Sequence, residues 1–221
     1  MGAMASDRHA RLRAAHLYLV SGARPGGRPL ADVLRPALRG GVDLFQLREK
    51  EAGDETVLAA AREARALCDE AGALFILNDR PDLVEAAGAD GVHVGQDDVP
   101  VARARAIVGA QRIVGHSTHA PAHLAAATGA DYVAVGPVHE TPTKPGRPAT
   151  GAAYVRHAAA HDPGVPWFAI GGIDEHTVGE VVAAGARRIV VVRAIAEAGD
   201  PEQAARTLRA ALGEEALRGA A

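Results

Sequence analysis

The sequence predicts a single (β/α)8 barrel, a TIM barrel of the α/β class, and two patterns support this fold class. First, four segments repeat one form, a glycine followed by an apolar run: GVDLFQLR from Gly41, GADGVHVG from Gly88, GADYVAVG from Gly129 and GARRIVVV from Gly185. Glycine readily takes the left-handed conformation that ends helices, so each segment predicts a helix-to-strand junction. Second, alanine-rich helical patterns such as PDLVEAAGAD, PAHLAAATGAD and TVGEVVAAGAR precede these junctions.

Four further strand candidates lie at residues 16–20, 73–77, 112–115 and 167–170. Together with the repeated segments they give eight strands that alternate with helices, which favours a closed barrel. An open doubly wound sheet is the competing fold, but no G-x-G-x-x-G motif follows the first strand. We expect one domain over residues 1–221, with flexible tails at 1–14 and 213–221.

Composition restricts the functional classes. The 221 residues are 48% hydrophobic, and the net charge of -3 gives no general attraction to nucleic acid or anionic lipid. Cys68 is the only cysteine, which excludes an internal disulfide and agrees with a reducing compartment. A short basic and apolar N-terminus resembles a secretory signal, but its apolar run is too brief. We therefore expect a cytoplasmic protein that binds neither nucleic acid nor membrane.

The segment VDLFQLREK changes from an apolar strand to a charged end. Strand periodicity places one set of side chains on a single face, namely Leu44, Gln46, Arg48 and Lys50, and the opposite set, Phe45 and Leu47, on the other. In a barrel the active site lies at the carboxyl ends of the strands. The sequence therefore predicts that this face passes from core to hydrogen-bond donors at the barrel mouth, although a solvated helix start is the alternative.

Polar residues also end the third, fourth and fifth strands. Asn78 and Asp79 follow the third, Asp98 follows the fourth, and Ser117 ends the fifth. Each aspartate alone could cap a helix. Two carboxylates on neighbouring strands beside Arg48 and Lys50 instead predict a magnesium ion bridging to a polyphosphate, because magnesium needs only one or two protein carboxylates plus phosphate oxygens. Asp97 should point the other way.

Phosphate is also predicted on the opposite side of the mouth. The long loop GPVHETPTKPGRPATG supplies Thr141, Thr143 and Lys144 as donors to phosphate oxygens, whereas His139 has no assigned partner and is expected at the surface. The seventh and eighth strands end in IGGI and VVRAI, and loops at these positions commonly bind phosphate in barrels.

From about Leu17 to about Leu208, the ordered motifs QLREK, ILNDR, GVHVGQDD, GHSTH, GPVHETPTKPG, AIGGI and VVRAI resemble the thiamine phosphate synthase family. The resemblance implies a transferase that couples 4-amino-2-methyl-5-hydroxymethylpyrimidine diphosphate with hydroxyethylthiazole phosphate, using one Mg2+ per subunit. It implies that Asp79 and Asp98 bind the metal and that Arg48, Lys50 and Lys144 are catalytic. The implied substrate contacts are Gln46, Leu47, Arg48, Glu49, Lys50, Asn78, Ser117, Thr141, Pro142, Thr143, Lys144, Gly172, Val192 and Arg193.

Family members often carry serine where this chain has Arg193, and a guanidinium there should grip phosphate more strongly. Three alternatives stay open: a thiazole tautomerase-like barrel, a phosphate-binding isomerase or aldolase, and a non-catalytic protein that binds thiamine precursors. A homodimer is a further expectation.

Overall fold

The computed structural model describes residues 2–141 and 148–213, and it shows a closed barrel of eight parallel strands in the order β1 to β8. The strands are β1 (Leu17–Ser21), β2 (Leu44–Leu47), β3 (Leu74–Asn78), β4 (Gly91–Val94), β5 (Ile113–Thr118), β6 (Tyr132–Val135), β7 (Trp167–Ile170) and β8 (Ile189–Val191). The strand that closes the barrel is β8, which pairs with β1. All eight predicted strands are present, and the open sheet is excluded.

Helices surround the barrel in the described residues. They are α1 (Gly2–Ala14), α2 (Leu30–Arg39), α3 (Asp54–Ala71), α4 (Val101–Val108), α5 (Pro121–Ala126), α6 (Gly151–His161), α7 (Val178–Ala183), α8 (Arg193–Ala196) and α9 (Pro201–Ala211). The main apolar cluster lies between the strands and these helices, and a second cluster fills the barrel interior. This two-layer core is the arrangement expected of a filled barrel.

The faces of β2 agree with the predicted periodicity. Leu44 belongs to the interior cluster and Gln46 hydrogen-bonds the interior Tyr18, whereas Phe45 and Leu47 belong to the outer cluster. Alternation along the strand therefore directs Gln46 into the barrel.

The first segment differs from the expected flexible tail, because residues 2–14 form helix α1 at the amino ends of the strands. Leu12 is only 1% exposed and packs into the interior cluster. The Arg8 guanidinium pairs with Asp90 at 2.8 Å, and Arg188 donates to the Arg13 and Ala15 carbonyls. The sequence did not predict this helix and its packing, because these partners are distant in sequence. The other predicted tail lies outside the described residues from 214 onwards.

A second difference concerns the connection between β3 and β4. The pattern PDLVEAAGAD suggested a helix, but the chain forms only a short 3-10 turn at Pro81–Leu83 before further turns. The hydrogen bond from the Ala89 amide to the Val84 carbonyl closes this connection. Turns therefore replace the predicted helix in this connection, and alanine content alone overestimated helix formation.

Three of the four repeated glycine segments also carry a structural carboxylate. Asp43, Asp90 and Asp131 each accept a hydrogen bond from a backbone amide on the preceding strand, from Leu17, Phe75 and Val114 respectively. Each of these carboxylates also pairs with an arginine, from α9, α3 and α4 in turn. The repeat therefore ties neighbouring strands and an outer helix together at the amino end of the barrel, opposite the predicted site.

Candidate active site

Three charged side chains predicted from the strand ends meet at the carboxyl end of the barrel. The Lys50 ammonium lies 2.9 Å from an Asp79 carboxylate oxygen and 3.8 Å from an Asp98 carboxylate oxygen. The two carboxylates thus face one cation, as their adjacent strands β3 and β4 suggested. Asp97 is exposed and Asp98 is partly buried, in agreement with the predicted register.

Local backbone structure fixes both carboxylates. Asp79 has a φ of 60°, a left-handed conformation that aspartate tolerates better than most residues. Asp98 accepts a hydrogen bond from the Gly95 amide at 2.9 Å, which closes the turn after β4. These constraints hold the carboxylates toward Lys50.

Asn78 supplies a donor beside this charged group. It is buried at the end of β3, immediately before Asp79, and its side-chain nitrogen Nδ2 has no hydrogen-bond partner in the described part of the chain. A buried donor without a partner is energetically costly. An anionic oxygen supplied by a ligand would satisfy it.

The other residues of the QLREK segment contribute partly to the fold and partly to the candidate site. The Glu49 carboxylate accepts a hydrogen bond from the Ala23 amide at 2.5 Å, which ties the β1 loop to the β2 loop. Leu47 is fully buried in the outer cluster, so only its main chain can reach a substrate. Arg48 is partly buried, and its amide donates to the Ser21 carbonyl at 2.9 Å. Glu49 and Leu47 are predicted substrate contacts, but their side chains are already engaged in contacts within the fold.

A cavity of about 310 Å³ occupies the other side of the mouth. Its lining includes five residues predicted to bind substrate, namely Ser117, Thr141, Gly172, Val192 and Arg193. Its volume is in the range of small-molecule pockets. Arg193, the first residue of α8, is exposed and contributes an arginine to this lining.

Close backbone packing explains the paired glycines of the IGGI segment. Gly171 and Gly172 have φ values of 109° and 62°, and a Cβ at Gly172 would lie 2.6 Å from the Cβ of His139. His139 is half-buried rather than a surface residue, and its Nε2 is a buried atom without a hydrogen-bond partner in the described residues. The expectation of a surface imidazole was wrong because the β6 loop folds over the β7 loop.

Sequence reasoning missed three interior polar residues, Tyr18, His93 and Tyr132. They connect Gln46 to Ser117 through hydrogen bonds within the barrel. Burial raises the pKa of the Tyr18 and Tyr132 hydroxyls above the ordinary tyrosine value. The sequence signal that could have identified these three residues is their position, because each lies at an inward-facing position of a short strand, where an apolar residue is usual.

Pro142, Thr143 and Lys144 lie outside the described residues, so their predicted roles stay predictions. In the described part of the chain, no group of three or more His, Cys, Asp or Glu side chains is arranged to hold a metal. None of the helices described is long and apolar enough to cross a membrane.

A closed parallel barrel with carboxylates, cations and a glycine-rich cavity at the carboxyl ends of its strands is typical of barrel enzymes that act on phosphate-bearing substrates. The family model for thiamine monophosphate synthase matches residues 17–195. The chain therefore belongs to the thiamine monophosphate synthase family.

Individual relatives agree with this assignment. The chain is 53% identical over 213 residues to the thiamine-phosphate synthase of Mycolicibacterium smegmatis, covering 91% of this chain and 94% of that protein. It is 52% identical over 202 residues to that of Thermobifida fusca, covering 90% and 93%. The solved thiamine phosphate pyrophosphorylase from Pyrococcus furiosus has a TM-score of 0.83 at 31% identity, covering 95% and 98%. The predicted fold, family, thiamine-phosphate synthase activity and transferase class are confirmed.

Proposed function

We propose that this chain couples the pyrimidine diphosphate to the thiazole phosphate across one barrel mouth, releasing pyrophosphate and forming thiamine phosphate with the help of Mg2+. The observation that carries the proposal is the placement of Lys50 between Asp79 and Asp98, next to Asn78, whose side-chain nitrogen has no hydrogen-bond partner among the described residues. The cavity containing Arg193 opens at the same end of the barrel. Two anionic groups can therefore be held close together.

The diphosphate belongs on the side of β2 to β4. Lys50 and Arg48 supply positive charge there, and the Asn78 amide supplies a donor for a phosphate oxygen. The donor set also fits Mg2+, because Asp79 and Asp98 present hard oxygen atoms to one cation, and diphosphate oxygens and water would complete the coordination. When bound, the metal supplies charge neutralisation of the leaving diphosphate.

The thiazole phosphate belongs on the side of β7 and β8. Gly172 and Val192 offer close backbone approach, Thr141 offers a hydroxyl donor, and Arg193 offers a guanidinium that can contact two phosphate oxygens. This assignment leaves the middle of the mouth for the reacting atoms. Gln46 and Ser117 would hold the pyrimidine ring there.

The chain's own residues would act by position and charge. As the carbon–oxygen bond to pyrophosphate breaks, its electron pair leaves with the pyrophosphate, and Lys50, Arg48 and Lys144 stabilise that charge. The pyrimidine stabilises the remaining methylene cation. The thiazole nitrogen then donates its electron pair to form the new carbon–nitrogen bond. This route requires no covalent nucleophile from the protein.

A direct test incubates the protein with both substrates, with and without Mg2+, and measures pyrophosphate and thiamine phosphate. We expect equal amounts of the two products and little turnover after Mg2+ removal. Isomerisation of the thiazole phosphate without pyrophosphate release would favour the tautomerase alternative. Binding of both compounds without any product would favour the non-catalytic alternative.

One substitution tests the position of the thiazole phosphate separately. Arg193→Ser removes the guanidinium from the cavity but keeps a hydroxyl donor, so the KM for the thiazole phosphate should rise by roughly tenfold, equivalent to about 1.4 kcal/mol. The KM for the pyrimidine diphosphate should stay near that of the unaltered protein. The reverse pattern would place Arg193 in the other subsite.

A further inference from the structure

Five buried side chains form a continuous hydrogen-bonded relay across the barrel interior: Gln46, Tyr18, Tyr132, His93 and Ser117. The Gln46 amide nitrogen contacts the Tyr18 hydroxyl, which lies 2.8 Å from the Tyr132 hydroxyl. His93 Nδ1 lies 3.0 Å from the Tyr132 hydroxyl, and His93 Nε2 lies 2.9 Å from Ser117 Oγ. Strands β1, β2, β4, β5 and β6 each contribute one member.

Aromatic packing fixes the geometry of this relay. The Tyr132 ring stacks on His93 with ring centroids 5.5 Å apart, and it meets Tyr18 and Phe168 edge to face. Gly115 makes room for it, because a Cβ at that position would lie 2.1 Å from the Tyr132 ring. The hydroxyls therefore cannot easily turn to other partners.

The number of hydrogens restricts the relay to two arrangements. Each tyrosine hydroxyl has one hydrogen, and a neutral imidazole has one donor and one acceptor nitrogen. Burial raises the pKa of Tyr18 and Tyr132, so both hydroxyls keep their hydrogens. These three interior hydrogens can fill only three of the four links. One end of the relay, and only one, must therefore donate into it while the other end accepts.

The first arrangement runs from Gln46 to Ser117. The Gln46 amide donates to Tyr18, Tyr18 to Tyr132, Tyr132 to His93 Nδ1, and His93 Nε2–H to Ser117. The Ser117 hydroxyl hydrogen is then available to a ligand, and the Gln46 carbonyl oxygen is available as an acceptor. The second arrangement reverses every bond, so that Ser117 offers only lone pairs and Gln46 offers its amino group.

We infer that the relay couples the two ends of the pyrimidine site, so that Gln46 and Ser117 together always present one donor and one acceptor to the substrate. His93, Tyr18 and Tyr132 are positioning residues that set this polarity without touching the substrate. The inference rests on the proposed function for the identity of the ligand. An aminopyrimidine fits such a pair, because its amino group donates and its ring nitrogen accepts.

The Gln46 amide nitrogen, rather than its carbonyl oxygen, contacts Tyr18, and this orientation corresponds to the first arrangement, which requires His93 to be protonated at Nε2. Gln46→Glu replaces the amide with a carboxylate, which accepts from Tyr18 and cannot donate. The whole relay should then reverse and move the proton of His93 to Nδ1, although Gln46 and His93 have two tyrosines between them. A purely structural role for His93 would produce no such change.

Nitrogen-15 NMR of the histidine-labelled, substrate-free protein measures this directly, with the His93 signals assigned from a His93→Gln variant. We expect the Nε2–H tautomer in the unaltered chain and the Nδ1–H tautomer in Gln46→Glu. In a Tyr132→Phe background, Gln46→Glu should leave the His93 tautomer unchanged. Tyr154→Phe is the matched control, because it removes a buried hydroxyl that bonds Thr118 and Ala120 outside the relay.

In the Tyr154→Phe background the tautomer change should persist. A doubly protonated His93, an unaltered tautomer in Gln46→Glu, or a change that survives Tyr132→Phe would overturn the coupling. These spectra need no turnover, so they separate the relay from the proposed reaction. In kinetics, Tyr132→Phe should raise the KM for the pyrimidine diphosphate by roughly tenfold and spare that for the thiazole phosphate. An unchanged KM would overturn the role in substrate binding.

Discussion

Lys50 places one positive charge between two carboxylates of the candidate site. Its ammonium lies within ion-pair distance of both Asp79 and Asp98. Two carboxylates that face each other without a cation repel, whereas an intervening ammonium reduces that repulsion. Under the proposed function, a metal ion would compete with Lys50 for the same pair of carboxylates, and a bound diphosphate would give Lys50 a second partner.

Removing the ammonium should separate metal binding from turnover. In Lys50→Met, the affinity for Mg2+ without substrate should rise roughly fivefold, because the lost competitor corresponds to about 1 kcal/mol at contact distance in water. Turnover should fall, because the diphosphate loses a cation. Calorimetric Mg2+ titration and pyrophosphate release measure the two effects. Arg80→Met, which removes a nearby cation paired with Asp54 and Asp82, should change neither.

The two neighbouring aspartates after β4 provide a second test. Asp98→Ala should lower turnover on the order of 100-fold, the scale seen when a main electrostatic stabiliser is lost. Asp97→Ala should stay near the unaltered protein, because Asp97 is exposed and Asp98 is the residue that faces Lys50. Initial rates of pyrophosphate release decide between them. An indispensable Asp97 would contradict the assignment of the metal ligand.

Individual side-chain roles were the least predictable part of the site. Alternation along β2 correctly directed Gln46 inward, and strand adjacency correctly brought Asp79 toward Asp98. The turn of Glu49 toward the Ala23 amide depends on the geometry of two loops, which no local pattern encodes. The Tyr18 to Tyr132 contact likewise joins residues 114 positions apart.

At the scale of elements, the strands were predictable and two helical segments were not. Each strand is a short apolar run bounded by glycine or polar residues, so its signal is local. Helix α1 carries mostly polar and alanine residues, and its place depends on Leu12 entering the barrel and on Arg8 reaching Asp90. For PDLVEAAGAD the prediction was wrong in the opposite way, because its composition favours a helix but the structure has turns there.

The carboxylates of the repeated glycine segments link elements and should govern acid stability. Burial acts to raise the pKa of Asp90, but the Phe75 amide and the Arg8 and Arg65 guanidinium groups outweigh it and lower the pKa below the ordinary value. A lowered pKa in the folded chain adds stability above the unfolded value of about 4. This contribution is lost as the pH falls through the folded pKa.

Asp90→Asn should remove that acid-dependent contribution. At neutral pH the free energy of unfolding should fall by about 3 kcal/mol, because the two arginines lose a buried partner. Below roughly pH 4 the difference from the unaltered protein should shrink. Urea unfolding across this pH range measures both effects. Asp69→Asn, at an exposed carboxylate that also contacts Arg65, should change stability by no more than about 0.5 kcal/mol.

At the scale of the whole molecule, the two ends of the barrel have separate tasks. The amino end holds α1 and the strand-linking carboxylates of Asp43, Asp90 and Asp131. The carboxyl end holds the ion group of Lys50 and the cavity of Arg193. The interior relay of Gln46 to Ser117 lies between them and joins the strands that form the site. Stability and turnover should therefore respond to different substitutions.

A pair of substitutions at opposite ends tests this division. Leu12→Ala leaves a cavity where α1 enters the barrel, so the free energy of unfolding should fall by about 2–5 kcal/mol, with turnover unchanged while the protein stays folded. Asp79→Asn should do the reverse. Asparagine tolerates the left-handed backbone at this position, so stability should change by no more than about 0.5 kcal/mol. Loss of the carboxylate should lower turnover on the order of 100-fold. Urea unfolding and pyrophosphate release are measured on both variants. The division would be contradicted if Leu12→Ala lowered turnover of the folded protein as strongly as Asp79→Asn.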